Sequence, residues 1–590
     1  MKRIIVMFSV LLAVLLCSAA FAEEAPEDAL EMTRRMGNGI NLGNTMEACN
    51  NGKLGGNTID SPKYYETYWG QPVTTPEMLR AMKASGFDTI RIPVAWMTNA
   101  AHLDKGDYTI SEKYLDRVEE IMNYALDAGM IVIVNDHWDG GWWGMFGSDT
   151  EATRSLAMEA YTGMWKQLAE RFGKYDWRLV FESANEELGA RFDENSPLYC
   201  DDSLAHTMPD NERFVLTNRV NQAFVDTVRA AGGNNADRFL LIAGYGTDIS
   251  KTCDMRFEMP QDTAEGRLMI SVHYYGPWSY CGASSAKGAT LWGRKADLEA
   301  MYAELSRMKK FTSAGCGVVI GEYGALTGSD GVMKTNAPLY HEAFLDCCDA
   351  LDITGCLWDC STFFIRRELK IAEEEMAAVY AGRNTASEKG KAYTEIAAEG
   401  KAALDALIEA APDTLVETLP GLGADSCVAW IMFSGGDWAM SYSVGDVYTP
   451  DSITPGIVPT DVEITGPGTY TVALDFTGTE KGYAANTAFS AIGIANGELK
   501  YPDYCIFFSE MKINGETVKL KGRNYTCSDD GKCTRSNLYN EWVDMKNARA
   551  GARVLYGDLT GISATILDRE LPVMQKIRTI EITFRYEPRK

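Results

Sequence analysis

From residue 36 to about 380, short apolar runs alternate with longer amphipathic stretches, the pattern of repeated β/α units around a parallel sheet. Eight runs occur, at 39–42, 89–92, 131–134, 179–181, 240–243, 269–272, 318–320 and 355–357, each short enough for a strand and too short for a helix. The spacing between them predicts helices that include 75–85, 111–128, 152–172, 211–231, 297–310 and 337–351. Ser111 ahead of Glu112 marks a helix start, and Gly86 and Gly129 fall just past helix ends. Eight strands with seven helical connections and a helix after the eighth predict a (β/α)8 TIM barrel with insertions. An open doubly wound sheet, the alternative α/β architecture, brings a glycine-rich phosphate loop after its first strand. Gly37, Gly39 and Gly43 lie before and within that run instead, and read as close packing at the barrel floor.

Beyond the barrel, assigned to 23–382, the pattern changes. Residues 383–415 are rich in Ala, Glu and Lys and read as a helical connector or the tail of the last barrel helix. From 416 to 590 the chain alternates in period two, most clearly at 469–476 and 579–586, with Gly, Pro and Asp turns between. A smaller all-β sandwich domain is the expectation.

The N-terminus modifies this picture. Lys2-Arg3, an apolar core and Ala20-Phe21-Ala22 have the three-part layout of a cleaved secretory signal over 1–22, so a secreted, extracellular location is expected. A lipid anchor on Cys17 is the competing reading, disfavoured by the bulky Leu16 before it. No later stretch has the roughly 20 apolar residues that span a bilayer, so stable membrane insertion is not expected. Loss of Lys2 and Arg3 takes the formal charge from −26 to −28, a surface that repels phosphate backbones and makes nucleic acid an improbable partner. Of 14 cysteines, 13 remain without Cys17, so at least one thiol stays unpaired or pairs between chains. None lies in a Cys-x-x-Cys pair, which disfavours zinc. Cys527 and Cys533 flank a turn and read as a stapled hairpin, and Cys356 as a small buried hydrophobe.

In such a barrel, reactive groups follow the C-terminal ends of the strands. Arg91 belongs to the second run; Asn135, Asp136 and His137 follow the third; Asn185 and Glu186 the fourth; His273 and Tyr275 the sixth; Glu322 the seventh; Trp358 the eighth. Carboxylates after strands four and seven face each other across the barrel mouth, as double-displacement hydrolysis of a glycoside demands. One must be protonated to serve the leaving oxygen and the other ionised to attack; a nearby arginine favours the ionised state, while desolvation and a like charge favour the neutral one. Singly, each residue is as well explained by a rim salt bridge or by packing. Glycines at 140, 141 and 144 make 138–144 read as a loop that exposes Trp138, Trp142 and Trp143 for stacking on sugar rings.

These pieces resemble glycoside hydrolase family five, the cellulase family. They are Gly39-Ile-Asn-Leu-Gly-Asn44, Thr89-Ile-Arg-Ile-Pro-Val94, Val134-Asn-Asp-His137, Phe181-Glu-Ser-Ala-Asn-Glu186, Val272-His-Tyr-Tyr275, Val319-Ile-Gly-Glu-Tyr323 and Leu357-Trp358, in order over residues 36 to about 365. The resemblance implies Glu186 as acid/base and Glu322 as nucleophile, with Arg91 and Tyr275 fixing and ionising Glu322. It implies Asn185 on the sugar 2-hydroxyl, His137 and His273 positioning the sugar and the acid/base, and Trp358 as the floor under the ring. The chain departs from the family pattern at Trp138, Glu187 and Cys360, where the family often has histidine, proline and asparagine. No reacting atom is lost, and the departures bear on substrate. The C-terminal domain more loosely resembles carbohydrate-binding β-sandwiches, with Trp430, Trp438, Tyr442 and Tyr448 as a candidate platform.

The function implied is a secreted, retaining endo-β-1,4-glucanase acting on cellulose or mixed-linkage β-glucan. A mannanase or xyloglucanase would use the same glutamates, and a non-catalytic glycan-binding protein is the reading from another class. The partner expected is a β-linked polysaccharide. Two carboxyls complete the cycle without a metal or other cofactor.

Overall fold

The computed structural model describes residues 24–48, 62–97, 100–102, 107–193, 208–282, 292–326, 333–381, 383, 392–413, 426–445, 448 and 453–590. The signal segment, with Cys17, and 384–391 and 414–415 of the connector lie outside them. Contacts divide the chain into two compact units, Met1–Leu415 and Val416–Lys590.

In the first unit eight strands close a barrel. They are β1 (Asn38–Asn41), β2 (Thr89–Ile92), β3 (Ile131–Asn135), β4 (Leu179–Glu182), β5 (Leu240–Asp248), β6 (Leu268–Tyr274), β7 (Gly317–Tyr323) and β8 (Thr354–Leu357). Each pairs in parallel with its sequence neighbours, and β1 pairs with β8 to close the ring. Alternation sorts the side chains: Ile131 and Ile133 join a cluster inside the barrel, and Val132 and Val134 join the larger core that includes the surrounding helices. Met32 and Met36, on the helix Ala29–Met36, plug the inner cluster. Gly317 permits this approach, because a Cβ there would meet the Ala29 carbonyl at 2.4 Å.

The helical connections differ from expectation at two places. Between β5 and β6 there is a single helical turn, Ile249–Thr252, because the segment after it carries Pro260 and no 3.6-residue apolar period. The stretch 297–310 divides into Lys295–Ser306 and Lys309–Thr312. The helix Tyr393–Ala410 docks on Ala337–Leu351, where Gly400 sits so close that a Cβ would meet the Asp349 Cβ at 2.6 Å. Gly39 packs between strands, with Cys356 against it, whereas Gly43 lies at the mouth and not at the floor. No described helix is long and apolar enough to cross a membrane.

The second unit contains two antiparallel sheets around one core. The first is built on β9 (Val428–Gly435), β11 (Thr487–Ile494) and β13 (Thr534–Tyr539); the second on β10 (Gly468–Asp475), β12 (Tyr504–Ile513) and β14 (Thr579–Pro588). The two clearest period-two stretches pair with each other, Gly468 opposite Tyr586 through Asp475 opposite Thr579.

Two expectations fail here. Trp430, Tyr442 and Tyr448 are buried core residues, and only Trp438 of the four is exposed. Nor does a disulfide staple the Cys527–Cys533 turn: Cys527 is a thiol. The ladder pairs Cys527 with Arg535, so Cys533 is two residues out of register and points into the main sandwich core while Cys527 packs on a separate small cluster. Ser528 and Asp530 hold the turn instead, accepting from the amides of Gly531, Lys532 and Cys533. Cys356 is buried, as its apolar run implies.

Candidate active site

Near the C-terminal ends of the strands the apolar interior gives way to a buried polar layer of Asn41, Arg91, Glu182 and Ser271. Arg91 is its centre. Its Nε donates to Glu182 Oε2 at 2.7 Å, Nη1 to Asn41 Oδ1 at 2.9 Å and to Glu322 Oε1 at 3.1 Å, and Nη2 to Asn185 Oδ1 at 2.9 Å. Ser271 donates to the other Glu182 oxygen at 2.6 Å, and Asn41 donates to the Gly321 carbonyl at 2.9 Å. A charge is tolerable in this interior because each guanidinium nitrogen meets an acceptor. Burial alone would lower the Arg91 pKa, but Glu182 and Glu322 raise it and keep the group cationic.

Above this layer stand two carboxyls. Glu322, on β7, takes Arg91 on Oε1 and the Tyr275 hydroxyl on Oε2 at 3.0 Å. Glu186, four residues past β4, accepts from Arg191 Nη2 at 2.9 Å and lies 2.9 Å from His273 Nδ1. That nitrogen is also 3.6 Å from Glu322 Oε2. An oxygen of Glu186 and one of Glu322 lie within 4.8 Å of each other.

Burial pushes both carboxyls upward, with different outcomes. At Glu322 burial prevails over the charges of His273 and Arg91, and Glu186 adds repulsion, so the group titrates above the ordinary range. At Glu186 the hydrogen bond and charge of His273, then the charge of Arg191, outweigh burial and hold it below. In the open cleft this is the reverse of the sequence expectation. Arg91 divides its charge between Glu182 and Glu322, and Arg191 brings a cation to Glu186 that the strand-end pattern did not reveal.

Trp358 and His137 face one another with rings 14° from parallel and centroids 5.6 Å apart, and His137 Nε2 lies 3.3 Å from Asn185 Nδ2. Burial and the charge of Arg91 hold the His137 imidazole well below its ordinary pKa. Gly43 makes room for the indole, since a Cβ there would come within 3.1 Å of it. Thus Arg91, His137, Asn185, Glu186, His273, Tyr275, Glu322 and Trp358 all converge on one mouth. The cleft holds about 200 Å³ and is also lined by Asn44, Glu47, Trp69, Trp138 and Arg191. Glu186, His273 and Glu322 offer ligand atoms close enough together to hold a cation, although Arg191, Arg91 and Tyr275 already donate to the same carboxylates.

The tryptophan expectation needs correction. Asp139–Gly147 is a 3-10 helix that turns Trp142 and Trp143 into the core, stacked 4.8 Å apart. Their indole N–H groups donate to Asp139 at 3.1 Å and Asp136 at 2.9 Å, which makes burial possible. Only Trp138 stays at the cleft, with φ of 60° and the Arg191 guanidinium 5.6 Å from its ring.

Sequence reasoning gave no role to Glu182, Glu187, Arg191 or Glu47. Glu187 accepts from the Trp138 amide on one oxygen and the Asn185 amide on the other, each at 2.7 Å, clasping the segments after β3 and β4. Burial pushes its carboxyl up to about 7. Glu47, accepting from the Asn44 and Thr45 amides, is likewise raised by burial to about 7. The available signal was the run of acids in Phe181-Glu-Ser-Ala-Asn-Glu-Glu187; nothing in the sequence marked Arg191.

Comparison with known proteins bears on this geometry. Endoglucanase A of Paenibacillus barcinonensis is 33% identical over 369 residues, 58% of this chain and 84% of that protein. A xyloglucan-specific endo-β-1,4-glucanase of Bacteroides ovatus is 35% identical over 312 residues, 50% of this chain and 56% of the relative. A broad-specificity endoglucanase from Ruminococcus champanellensis, solved with bound cellotriose, superposes with a TM-score of 0.52 at 28% identity, covering 61% of this chain and 100% of that one. Residues 53–363, just over half of the 590, match the family described as Cellulase (glycosyl hydrolase family 5), and to that family this chain belongs.

Proposed function

We propose that the chain is an exported, retaining endo-β-1,4-glucanase that cuts internal bonds of a β-glucan, with Glu322 as nucleophile and Glu186 as acid/base. The observation that carries this reading is the approach of the two carboxyls, with oxygens within 4.8 Å. That suits the separation of about 5–5.5 Å typical of retaining enzymes and leaves no room for the intervening water that inverting enzymes accommodate at about 6.5–9.5 Å.

In the first step a Glu322 oxygen attacks the anomeric carbon while Glu186 gives its proton to the departing glycosidic oxygen. A glycosyl ester on Glu322 results. In the second step the Glu186 carboxylate takes a proton from water, whose oxygen attacks the same carbon and releases Glu322. Two inversions leave the β configuration unchanged. Sugar in the cleft excludes water from Glu186 and raises its pKa, while Arg91 and Tyr275 remain on Glu322, so the proton moves to the group that must donate it. Asn185, held by Arg91, faces the sugar 2-hydroxyl, and Trp358 lies under the ring.

The glucan backbone is favoured by the relatives, which are named as endoglucanases and include one specific for xyloglucan. Reducing-sugar release from carboxymethyl cellulose, barley β-glucan, xyloglucan and glucomannan tests the substrate, with NMR of the nascent anomer testing the stereochemistry. Release confined to glucomannan, or an α product, overturns the corresponding part of the reading.

A further inference from the structure

Among the described residues of the second unit four aromatic side chains are exposed, Trp438, Phe507, Trp542 and Tyr556, and of these the two tryptophans stand together. Trp438 is 56% exposed and Trp542 is 58% exposed, and their rings lie together, with centroids 5.4 Å apart and planes at 48°. They are 104 positions apart in the chain, and the topology explains the meeting. β9 and β13 both pair antiparallel with β11, with Phe433 opposite Ser490 and Ser490 opposite Tyr539. The C-terminal ends of β9 and β13 therefore lie at the same end of the sheet, and the turns that follow them carry the two indoles.

Both turns are built rather than loose. Trp438 takes a left-handed φ of 60°, its amide donates to the Gly435 carbonyl at 2.9 Å, and Asp437 accepts from the Ala439 amide at 3.2 Å. The Trp542 amide donates to Asn540 Oδ1 at 3.3 Å. An exposed Asp437, with Lys481 3.4 Å away, precedes the first indole, and an exposed Glu541 precedes the second.

We propose that Trp438 and Trp542 form a glycan-binding platform of the second unit that takes a β-linked glucan chain against the faces of its sugar rings. A glucan in its extended form offers flat C–H faces to an indole and hydroxyls at the ring edges to carboxylates and an ammonium, and this pair with its charged rim provides both. A protein partner of comparable stability would call for a broader apolar core with charged groups kept to its margin. Here charged residues adjoin each indole in sequence. The choice of glucan over another polysaccharide rests on the activity proposed for the barrel.

The test uses the full chain and keeps the two readings separate. Trp438→Ala, Trp542→Ala and the double variant are run in native gels containing hydroxyethyl cellulose, alongside hydrolysis of an aryl cellobioside. The expected result is an association constant lowered about tenfold per indole, with aryl cellobioside hydrolysis unchanged. Unaltered retardation of the double variant overturns the platform, and so does its conversion of a wild-type dimer to a monomer in sedimentation, which would assign the pair to self-association. Should the alanine variants fail to fold, the intact platform is probed in the Glu322→Gln chain by N-bromosuccinimide oxidation with and without cellohexaose, read by peptide mass. Protection of both indoles supports the proposal, and equal oxidation overturns it. Failure of β-glucan hydrolysis would instead count against the barrel reading, because retardation needs no turnover.

Discussion

Arg191 Nη2 donates to Glu186 Oε2 at 2.9 Å, which places a cation against the carboxyl proposed as the acid/base. Arg191→Met removes a charge that holds the Glu186 pKa down. The pKa then rises, the acid stays protonated to higher pH, and the alkaline limb of kcat/KM moves upward. A pH–rate profile of the variant beside the wild type checks this, and an unmoved or lowered limb would contradict it.

The two glutamates should fail in different ways. Glu322→Gln leaves no nucleophile, so turnover drops to background on any substrate. Glu186→Gln lowers kcat on a β-glucan by about 10²–10⁴-fold, the usual worth of a general acid, yet retains much of the first step on an aryl glycoside whose leaving group needs no proton. Burst kinetics on that substrate, with accumulation of the glycosyl-enzyme, provide the measurement. Equal loss on both substrates by both variants would break the assignment.

Glu187 links stability to pH. Its carboxyl is raised from 4.5 to about 7 by burial, so the folded state holds the proton more tightly than the unfolded one. The stability this contributes is complete below about 4.5 and is lost as pH rises through about 7. Glu187→Gln removes that dependence, and the melting temperature of wild type minus variant should be larger at about pH 5 than at about pH 8. A constant difference would show that the group does not titrate in this window.

The neighbouring tryptophans separate structure from binding. Trp142→Ala empties a packed site and costs about 3–5 kcal/mol, visible in denaturant unfolding. Trp138→Ala leaves the melt nearly unchanged and raises KM for a β-glucan, because that indole borders the cleft. The reverse pattern would place Trp142 at the substrate.

The barrel was legible because its strands are buried on both faces, so runs such as 131–134 are uninterruptedly apolar, and because chemistry follows strand ends. That Glu186 and Glu322 would meet at one mouth could be read by counting strands. Arg191 and Glu187 could not, since their roles depend on contacts with Glu186, Trp138 and Asn185 that only folding creates. The glycines at 140, 141 and 144 suggested an open loop, but Asp136 and Asp139 could satisfy indole N–H groups and so admit two tryptophans to the core. In the second unit, β9 is buried along nearly its whole length, which hid from periodicity that Trp430 is core. Trp542 stood outside any alternating run and carried no signal of its partner.

Arg91 touches side chains from strands one, four and seven and from the turn after strand four. Inheritance therefore has one easy and one difficult route to an inactive descendant. With Glu186 as the proposed acid/base, drift there silences the chemistry and leaves the scaffold whole, whereas drift at Arg91 strands Glu182 in the interior and endangers the barrel itself. Lineages that abandon hydrolysis but still grip sugar should keep Arg91 and Glu182 long after Glu186 has changed.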